Sequence, residues 1–310
     1  MHVRILDPGP QATLQGAPRR GFRQSGMPAA GPADPLSHAL ANRLVNNSAG
    51  ATCIEVTYGP FKATFGKESV VAITGADAAI SVNGSEEKFH STITVRRGDQ
   101  IEIGRPQAGL RFYIAIAGGF QADQFLGSTS TYLPAKLGGK SGRALQKEDE
   151  LSIGAVASCE ETNSTPADLI LPLTNSFALR ATEGPDYTDA CSVLWSNQFI
   201  VTRRASRIGL ELDGGFPKLD VRENFPSSAV FPGALQLPPQ GRGFLLLPDC
   251  QTTGGYPHVL QVNRTDRHLL GQIRPDDSVI FLRRSPQQAA SDLKEKKALF
   301  SEWIGADATW

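Results

Sequence analysis

A polar, glycine-containing loop near the end of the chain carries the side chains best suited to chemistry. The stretch Asp249–Pro257 reads DCQTTGGYP and follows an apolar, strand-like run at Phe244–Leu247. A carboxylate at the end of an apolar strand is partly desolvated, so its pKa can be tuned for work as a base. The side-chain amide of Gln251 offers both a donor and an acceptor to an amide-like substrate. The loop therefore predicts a pocket for a small amide or carboxylate, with Asp249 and Gln251 as catalytic candidates.

The remaining residues of this loop are predicted to shape the pocket. Hydroxyl groups add donors and acceptors, the Gly-Gly pair lets backbone approach a ligand, and a tyrosine can close the pocket while keeping one polar tip. These predicted substrate contacts are Thr252, Thr253, Gly254, Gly255 and Tyr256. Cys250 would face away from Asp249 if the strand continued, so we expect a core thiol rather than a nucleophile.

Two arginines stand in other polar loops. Arg207 enters a predicted strand and could offer its two-pronged guanidinium to a carboxylate, although a surface salt bridge is the usual fate of such a residue. Arg23 lies in the glycine-rich stretch Gly21–Asp34 and could bind an anionic substrate or brace the loop. Asp34 at the end of that stretch is interpreted as a helix cap rather than as a catalytic acid.

A second glycine-rich segment, Leu137–Arg143, contains Gly139-Lys140-Ser141, similar to the end of a phosphate-binding loop. The full pattern needs a glycine five residues before Gly139, where Pro134 stands, so we reject a Walker-type site. Two equal alternatives remain for this segment. It could be a looser anion-binding nest that uses Lys140 and Arg143, or it could be a plain turn between strands.

Composition excludes some classes of partner. The chain has 310 residues, enough for two domains, and 31 basic residues balance 31 acidic ones. A formal net charge of zero argues against nucleic acid or an anionic membrane as the main partner. No stretch has the length of a membrane span or the apolar core of a signal peptide. The cysteines, Cys159 among them, are scattered along the sequence, which favours free thiols in the cytoplasm. The histidines form no ligand motif, so we expect no structural metal.

The elements that must position these residues are predicted to be mainly β. Glycine and proline punctuate short β-rich runs, which is typical of a barrel or sandwich, and Asn83-Gly84 predicts a hairpin. Three Asp-containing turns, ending at Asp99, Asp149 and Asp277, are each expected to lead into a strand. The predicted strands are Cys53–Tyr58, Ser69–Thr74, Ala78–Val82, Thr92–Val95, Gln100–Ile103, Arg111–Ala117, Phe177–Ala181, Gln198–Thr202, Ile208–Leu212, Phe244–Leu247, Val259–Val262 and Val279–Leu282.

Two helices are signalled by a capping residue followed by proline. One begins at Asp34-Pro35 and the other at Ser285-Pro286. The second helix has an apolar face that we expect to dock on the chain's own core, a partner surface being the alternative; its residues are Leu293, Phe300, Trp303 and Ile304. The polar segment Ala157–Pro172 is the best boundary, giving an N-terminal β-barrel domain (1–160), a C-terminal β-barrel domain (173–285) and a C-terminal helix (286–310).

Many short motifs in a fixed order resemble one protein family. They are Gly26-Met27-Pro28 with Gly31 and Asp34, Ile54–Thr57, Ile73–Asp77, Arg111–Tyr113 with Gly118-Gly119, Gly127–Tyr132, Ser206–Gly209, Pro232–Gln236, Asp249–Pro257, and Gln272 with Pro275. Together they resemble the biotin-dependent carboxyltransferase family in its C-terminal half, which includes allophanate hydrolase subunit 2, KipA-like proteins and the C subunit of 5-oxoprolinase.

The resemblance implies a fold and an activity. It implies two cyclophilin-like β-barrel domains with a few short helices and a C-terminal helix. It implies a subunit of an ATP-dependent 5-oxoprolinase, with ATP and Mg in the complex, that opens the 5-oxoproline lactam to L-glutamate. The implied partners are a KipI-like B subunit and a LamB/YcsF-type A subunit. One alternative is a regulatory antagonist of a KipI-like kinase inhibitor. The other is the carboxyltransferase half of a urea carboxylase-like enzyme that uses biotin. We find no biotin-carboxylase or biotinyl-lysine domain in the chain, so a free-standing subunit is the expectation.

Under the first of these functions, the resemblance also implies roles for residues. Asp249 would orient or deprotonate water or the lactam nitrogen, Gln251 and Thr253 would hold the amide, and Arg207 or Arg143 would pair with a carboxylate. Arg207 is thus a catalytic candidate together with Asp249 and Gln251. Further implied substrate contacts are Gln236, Arg23, Ser128 and Ser130.

The chain departs from the family pattern at three positions. The motif Gln-Asp-x-Gly-Arg reads Gln15-Gly16-Ala17-Pro18-Arg19, so its acid and its glycine are lost. Thr129 stands where the Gly-Ser-Arg-Ser-Thr run has arginine, and Asp276 stands where a late turn has glycine. The lost acid and arginine would have formed a pair or held substrate, so Gly16 and Thr129 bear on the identity of the substrate.

Overall fold

Strands predominate in the computed structural model, which describes residues 2–155, 163–219 and 225–305. The strands are β1 (His2–Asp7), β2 (Gln11–Gln15), β3 (Cys53–Thr57), β4 (Phe61–Phe65), β5 (Ser69–Gly75), β6 (Ile80–Val82), β7 (Ser85–Glu87), β8 (Thr92–Val95), β9 (Gln100–Ile103), β10 (Arg111–Ile116), β11 (Glu150–Ser152), β12 (Ser176–Glu183), β13 (Gln198–Ala205), β14 (Gly209–Asp213), β15 (Ser228–Ala229), β16 (Ala234–Gln236), β17 (Gly243–Leu246), β18 (Thr253–Gly254), β19 (His258–Val262) and β20 (Ser278–Arg283).

Helices are few. The α-helices are α1 (Pro35–Leu44), α2 (Arg267–Leu270) and α3 (Pro286–Ile304), and short 3-10 turns lie at Arg23–Ser25, Leu133–Ala135, Ala167–Leu169, Asp189–Trp195 and Arg264–Asp266. Cys159, residues 157–162 of the predicted linker and the last five residues of the predicted C-terminal helix lie outside the described residues.

The chain divides into two units by its internal contacts. Unit 1 comprises residues 1–19, 30–173 and 299–310, and unit 2 comprises residues 20–29 and 174–298. The predicted domain ranges 1–160, 173–285 and 286–310 stay a prediction.

Unit 1 contains two antiparallel sheets. One has the order β11-β1-β4-β9-β6-β7 and the other the order β2-β3-β10-β5-β8. β4 alternates buried and half-buried side chains, with Phe61, Ala63 and Phe65 directed into the core. Residues from both sheets form one apolar core, in which Ile5, Ile54, Ile73, Ile101 and Phe112 are buried.

Unit 2 contains a closed seven-stranded barrel of order β12-β19-β16-β17-β14-β13-β20. β12 and β20 run parallel and close the barrel, while the other neighbours pair antiparallel. A separate small sheet pairs β15 with β18. The barrel core includes the buried residues Leu179, Phe199, Leu210, Leu245, Leu260 and Phe281. The predicted fold class, mainly β with barrel architecture and few helices, is confirmed.

Both predicted helix starts are confirmed. The Asp34 carboxylate accepts from the backbone N–H groups of Leu36 and Ser37, at 3.1 and 2.9 Å, so it is the N-cap of α1. At the start of α3, Ser285 N–H donates to Gln288 Oε1 at 2.8 Å and Gln288 N–H donates back to Ser285 Oγ at 3.2 Å, forming a capping box.

The apolar face predicted for the last helix is buried where it was expected. Phe300 and Ile304 pack with Leu36 and Leu40 of α1 and with Leu169, all inside unit 1. Docking on the chain's own core is therefore confirmed for this end of α3.

Three strands are entered through the same aspartate turn. The carboxylates of Asp99, Asp149 and Asp277 accept from the backbone N–H three residues earlier, at 2.7, 2.8 and 2.9 Å. The residue before each aspartate has a positive φ, including Asp276 at 72°. Aspartate tolerates this left-handed conformation better than most residues, which explains how Asp276 stands where the family has glycine.

Candidate functional site

The centre of the predicted pocket is a buried ion pair between Arg207 and Asp249. Arg207 Nε donates to Asp249 Oδ2 at 2.9 Å and Arg207 Nη2 donates to Oδ1 at 3.0 Å. The two side chains are 4% and 1% exposed. The predicted two-pronged carboxylate contact of Arg207 therefore exists, but its carboxylate belongs to the chain, and the alternative of a surface salt bridge is wrong.

Backbone contacts explain why these two residues meet. β14 pairs with β17, and the ladder continues beyond both strands: Leu247 N–H donates to Ile208 O at 2.9 Å, and Asp249 N–H donates to Arg207 O at 3.0 Å. The ion pair therefore fixes Asp249, the first residue of the loop, against the turn that contains Arg207 and leads into β14. A doubly hydrogen-bonded pair of opposite charges is rigid as well as strong.

Side-chain amides form a chain across the loop. Gln251 Nε2 donates to Gln236 Oε1 at 3.2 Å, and Gln236 Nε2 donates to the backbone oxygen of Tyr256 at 3.0 Å. Gln236 is buried in β16, whereas Gln251 and Tyr256 are exposed. The structure thus brings three predicted site residues together and leaves the Gln251 side chain accessible at the surface.

The middle of the loop pairs with a strand that the sequence did not reveal. Thr253 lies opposite Ala229 and Gly254 opposite Ser228, while Thr252 O accepts from Val230 N–H at 3.1 Å. A Cβ on Gly254 would overlap the Gln236 amide, so the absence of a side chain there makes room for Gln236. Gly255 has no such neighbour.

Arg23 reaches the same loop from the other end of the sequence. Its Nη2 donates to the backbone oxygens of Val230 and of Gln251, the latter at 3.4 Å, and its guanidinium lies 5.0 Å from the centre of the Phe231 ring. The two predicted roles of Arg23, bracing the loop and binding an anionic substrate, are both compatible with this position. Its hydrogen bonds brace the loop, and its positive charge lies beside the loop.

Cys250 is a core thiol. It is fully buried with Val230, Ala234 and Leu246 in a small apolar cluster. Burial raises the pKa of its thiol to about 11, although the nearby Arg23 charge acts in the opposite sense. The thiol is therefore protonated at neutral pH, and the prediction that Cys250 is not a nucleophile agrees with this environment.

Two predicted substrate contacts, Ser128 and Ser130, lie in unit 1 and are buried. Ser128 Oγ donates to Ala17 O at 2.6 Å, and Ser130 Oγ donates to Gly16 O at 2.8 Å while accepting from Gly16 N–H at 3.1 Å. Their hydroxyls thus hold the segment at Gly16-Ala17 in place, and their role in substrate binding stays a prediction.

The glycine-rich segment Leu137–Arg143 has its cations engaged within unit 1. Arg143 makes a two-pronged pair with Asp149, with both N–O distances at 2.7 Å, and Lys140 Nζ donates to Glu150 O at 2.9 Å. The Asp149 pair holds the pKa of Arg143 above its usual value. Among the described residues this arrangement resembles a braced turn more than an open anion nest, and the role of Arg143 stays a prediction.

Sequence reasoning missed two polar residues beside the loop. His258 follows it directly and is buried with neither ring nitrogen hydrogen-bonded, and burial lowers its pKa. Arg267, at the start of α2, lies near Cys250 and has a buried Nε without a hydrogen-bond partner. Neither residue belongs to a motif; His258 adjoins the loop in the sequence, whereas Arg267 is brought near Cys250 only by the tertiary structure.

A comparison with protein-family models decides the family. The model for "Carboxyltransferase domain, subdomain A and B" matches residues 25–283. The chain belongs to this carboxyltransferase-domain family. The match includes Arg207, Gln236 and the whole Asp249–Pro257 loop, and it confirms the family resemblance drawn from the motifs.

Curated relatives of this carboxyltransferase-domain chain have two different names. It is 30% identical over 304 residues to the C subunit of 5-oxoprolinase from Escherichia coli, covering 97% of both chains. It is 32% identical over 319 residues to urea amidolyase of Lachancea kluyveri, covering 94% of this chain but 17% of that protein.

A solved structure shares the fold of this carboxyltransferase-domain chain. The urea amidolyase of K. lactis superimposes with a TM-score of 0.91 at 25% identity, covering 97% of this chain. The chain spans 20% of the length of that protein.

The residues that the structure describes contain neither a membrane-spanning helix nor a cluster of metal ligands. None of the helices there combines the length and apolar character that crossing a membrane requires. No group of three or more His, Cys, Asp or Glu side chains in the described part of the chain is arranged to hold a metal ion.

Proposed function

We propose that this chain is the C subunit of an ATP-dependent 5-oxoprolinase, a complex that opens the 5-oxoproline lactam to L-glutamate. The observation that carries the proposal is the similarity to the E. coli 5-oxoprolinase chain over 97% of both sequences. The similarity to urea amidolyase is as high in identity but covers 17% of that protein. The loop of unit 2, which presents amides and a buried carboxylate, is chemically suited to a small cyclic amide.

In this proposal the loop residues bind and orient the lactam. The exposed amide of Gln251 can donate to the lactam oxygen and accept from the ring N–H, and Gln236 fixes its orientation through the 3.2 Å bond. Thr253, Gly254 and Tyr256 lie along the same loop and complete the predicted contacts. Asp249 would orient or deprotonate the attacking water, with Arg207 holding its carboxylate in one position.

The complex would use ATP with Mg, because a lactam is a poor electrophile and phosphorylation of its oxygen makes the ring carbon attackable. The residues of the glycine-rich segment do not fit a nucleotide site, since Lys140 and Arg143 are held by Glu150 and Asp149. We therefore assign ATP contacts to no residue of this chain. A KipI-like B subunit and a LamB/YcsF-type A subunit are the proposed partners, and a cytoplasmic location is proposed from the buried free thiols.

The test is reconstitution with the two partner subunits from the same source. Co-expressed subunits should form glutamate from 5-oxoproline only when ATP is supplied and only when this chain is present. Omission of this chain and replacement of ATP by ADP are the matched controls. Absence of glutamate from a stable, co-eluting complex would reject the activity and would favour a regulatory role toward the KipI-like partner.

Carboxyl transfer is a second candidate, because the K. lactis urea amidolyase shares the fold with a TM-score of 0.91. This function predicts that carboxybiotin, and not ATP alone, supports turnover. We rank it second because the chain covers 97% of the E. coli 5-oxoprolinase subunit but 17% of the L. kluyveri urea amidolyase. Carboxylation of urea by the reconstituted complex with added carboxybiotin would reverse the ranking.

A further inference from the structure

A cavity of about 990 Å³ lies within unit 1 and includes none of the predicted site residues. Its walls come from four stretches of the chain, within 75–80, 86–90, 104–108 and 170–173. Charged side chains of both signs line it, whereas a pocket for a small molecule is mostly apolar with few polar groups. The lining therefore favours a segment of polypeptide over a small apolar ligand. The charged lining residues are Asp77, Glu86, Glu87, Lys88 and Arg105.

One wall of the cavity is the edge of a sheet. In the described part of the chain β7 is the last strand of its sheet and pairs with β6 on one side only. The cavity is lined by Glu86 and Glu87 of β7 and by Lys88, which follows directly. The open side of such a strand presents N–H and C=O groups that can pair with another strand.

Hydrogen bonds between β6 and β9 fix the direction of the backbone groups in β6. Asn83 N–H donates to Gln100 O at 3.0 Å, and Gly104 N–H donates to Ala79 O at 2.9 Å. Asn83 and Ala79, at either end of β6, therefore both direct backbone groups toward β9. Because these directions alternate along an antiparallel strand, Ile80 directs its N–H and C=O toward β7.

The same alternation identifies the groups of β7 that β6 does not use. Glu87 lies opposite Ile80, so its backbone groups take part in the pairing of β6 with β7. The N–H and C=O of Glu86 then point away from β6, and those of Lys88 do the same where the chain continues in that direction. Both residues line the cavity. A segment added here would form main-chain hydrogen bonds with Glu86 and Lys88.

The side chains beside this edge define the chemistry of the added segment. Glu86 and Lys88 are exposed and project from one face of the strand. The other face is that of buried Ile80, and Phe89 and Ile170 add apolar surface to the cavity. Side chains directly opposite each other share a face, and like charges there are unfavourable. The segment therefore needs a base opposite Glu86, an acid opposite Lys88 and an apolar residue between them.

We propose that the edge of β7 binds an extended segment of a partner polypeptide as an added antiparallel strand. The segment has the order acidic, apolar, basic from its amino end, so that its acid lies opposite Lys88 and its base opposite Glu86. Charged residues on an edge also disfavour pairing with apolar strands, so the same two side chains select the partner. The site does not depend on the proposed 5-oxoprolinase activity.

A second copy of this chain is a poor occupant of the edge. A two-fold axis through an antiparallel pair of β7 strands places one residue opposite its own copy. Glu86, Glu87 and Lys88 are all charged, so each of these registers brings like charges together. The partner segment is therefore expected to come from a different polypeptide.

Synthetic peptides test the site on the full chain. The probe is fluorescein-labelled Thr-Glu-Val-Lys-Thr, and the comparison probes are Thr-Glu-Val-Glu-Thr and Thr-Lys-Val-Lys-Thr. Each comparison probe places one like charge against Glu86 or Lys88 in either strand direction. Titrations followed by fluorescence anisotropy should show that the mixed-charge peptide binds at least about threefold more tightly than either comparison probe.

A single charge reversal should move this preference. Glu86→Lys makes both exposed side chains of the edge basic, so this variant should bind Thr-Glu-Val-Glu-Thr about threefold or more tightly than the mixed-charge peptide. Glu68→Lys is the matched control, because Glu68 is exposed in the turn between β4 and β5 and does not line the cavity. The control should keep the native order of the three peptides. The native order in Glu86→Lys as well would overturn the proposal.

Methylation of single peptide nitrogens tests the added strand itself. In the antiparallel arrangement the lysine N–H of the peptide faces β7, whereas the valine N–H faces away. N-methylation at lysine should weaken binding at least about tenfold, and N-methylation at valine should change it by less than about threefold. Equal effects, the reverse order, or no saturable binding of the mixed-charge peptide would each overturn the added strand. A dimer of the native chain that Glu86→Lys dissociates, seen by sedimentation, would overturn the assignment to a different polypeptide.

Discussion

The Thr129 hydroxyl occupies the space that a side chain on Gly16 would need. A Cβ on Gly16 would overlap Thr129 Oγ1, and that oxygen lies 2.7 Å from the hydroxyl of Thr52. The two departures from the family pattern, glycine for aspartate and threonine for arginine, therefore face each other in unit 1. Their proximity agrees with the prediction that the lost acid and arginine paired with each other, and the alternative that they held substrate stays a prediction.

The first prediction concerns this packing. We expect Gly16→Ala to lower the free energy of unfolding by about 1–3 kcal/mol, because the added methyl group displaces Thr129 from its bond with Thr52. Chemical denaturation of the native chain and the variant measures the difference. Gly104→Ala is the control, since a Cβ there meets its nearest neighbour, Ala79 O, at an ordinary 3.6 Å.

A double variant shows whether Thr129 is the cause. Thr129→Ala removes the overlapping oxygen, so Gly16→Ala combined with Thr129→Ala should be more stable than the sum of the two single effects predicts, with a coupling of about 0.5–3 kcal/mol. Strict additivity would show that Gly16 is constrained by something other than Thr129.

The second prediction concerns the pair Arg207–Asp249. Asp249→Asn leaves a buried guanidinium without its counter-charge, and we expect it to destabilise the chain by about 3–5 kcal/mol. If Asp249 also serves as a general base, turnover of the reconstituted complex should fall at least ~100-fold at a temperature where the variant is folded. Thermal unfolding and glutamate formation are measured on the same preparation.

A matched exposed pair provides the comparison. Arg4 Nη2 contacts Glu150 Oε1 at 2.9 Å, and the two side chains are 46% and 49% exposed, so Arg4→Gln should cost under about 1 kcal/mol. Full turnover by folded Asp249→Asn would remove Asp249 from the mechanism and leave the pair a structural role.

Much of the fold could be predicted from local patterns. Every predicted strand begins within two residues of an observed one, and the Asn83-Gly84 turn joins β6 to β7 with positive φ at both residues. β4 was missed although FKATF alternates, and β2 was missed because QATLQ has few apolar residues. Gln15 in β2 is nonetheless buried, because its amide donates to Thr13 and Thr131 within the fold.

The candidate site was predictable as a set of residues but not as a geometry. The loop Asp249–Pro257 and Arg207 stand out by residue type, yet nothing local shows that Arg207 takes the carboxylate of Asp249, 42 residues away. Arg267 carries no signal in the sequence, because the burial that lowers the pKa of its guanidinium arises only in the folded chain. Side chains that come into contact only through tertiary structure cannot be paired from local sequence patterns.

The third prediction concerns Gly254. Its missing side chain makes room for the Gln236 amide, so Gly254→Ala should displace Gln236 and break its bonds to Tyr256 O and Gln251. We expect a rise of about tenfold or more in KM for the lactam, since the orientation of Gln251 is lost. Gly104→Ala, which lies outside the loop and whose Cβ would meet Ala79 O at 3.6 Å, is the control and should leave KM within about twofold.

The fourth prediction concerns stability at acid pH. Burial lowers the pKa of both His38 and His90 to about 4, and for His38 the bond to Gln15 O and the Glu55 charge oppose this only in part. In the unfolded chain the pKa of each ring is about 6.5. Between these values the unfolded state holds protons that the folded state does not, so stability falls as pH drops from about 6.5 toward 4, by up to about 1.4 kcal/mol per pH unit for each ring.

Variants isolate this contribution from that of the carboxylates. Asp277, whose pKa burial raises, acts in the opposite sense, so the slope of unfolding free energy against pH must be compared between variants rather than taken alone. His38→Gln should reduce the slope between pH 6 and 4.5 by about 1 kcal/mol per unit. An unchanged slope in His38→Gln would mean that the ring becomes protonated without unfolding, which its burial at 2% exposure argues against.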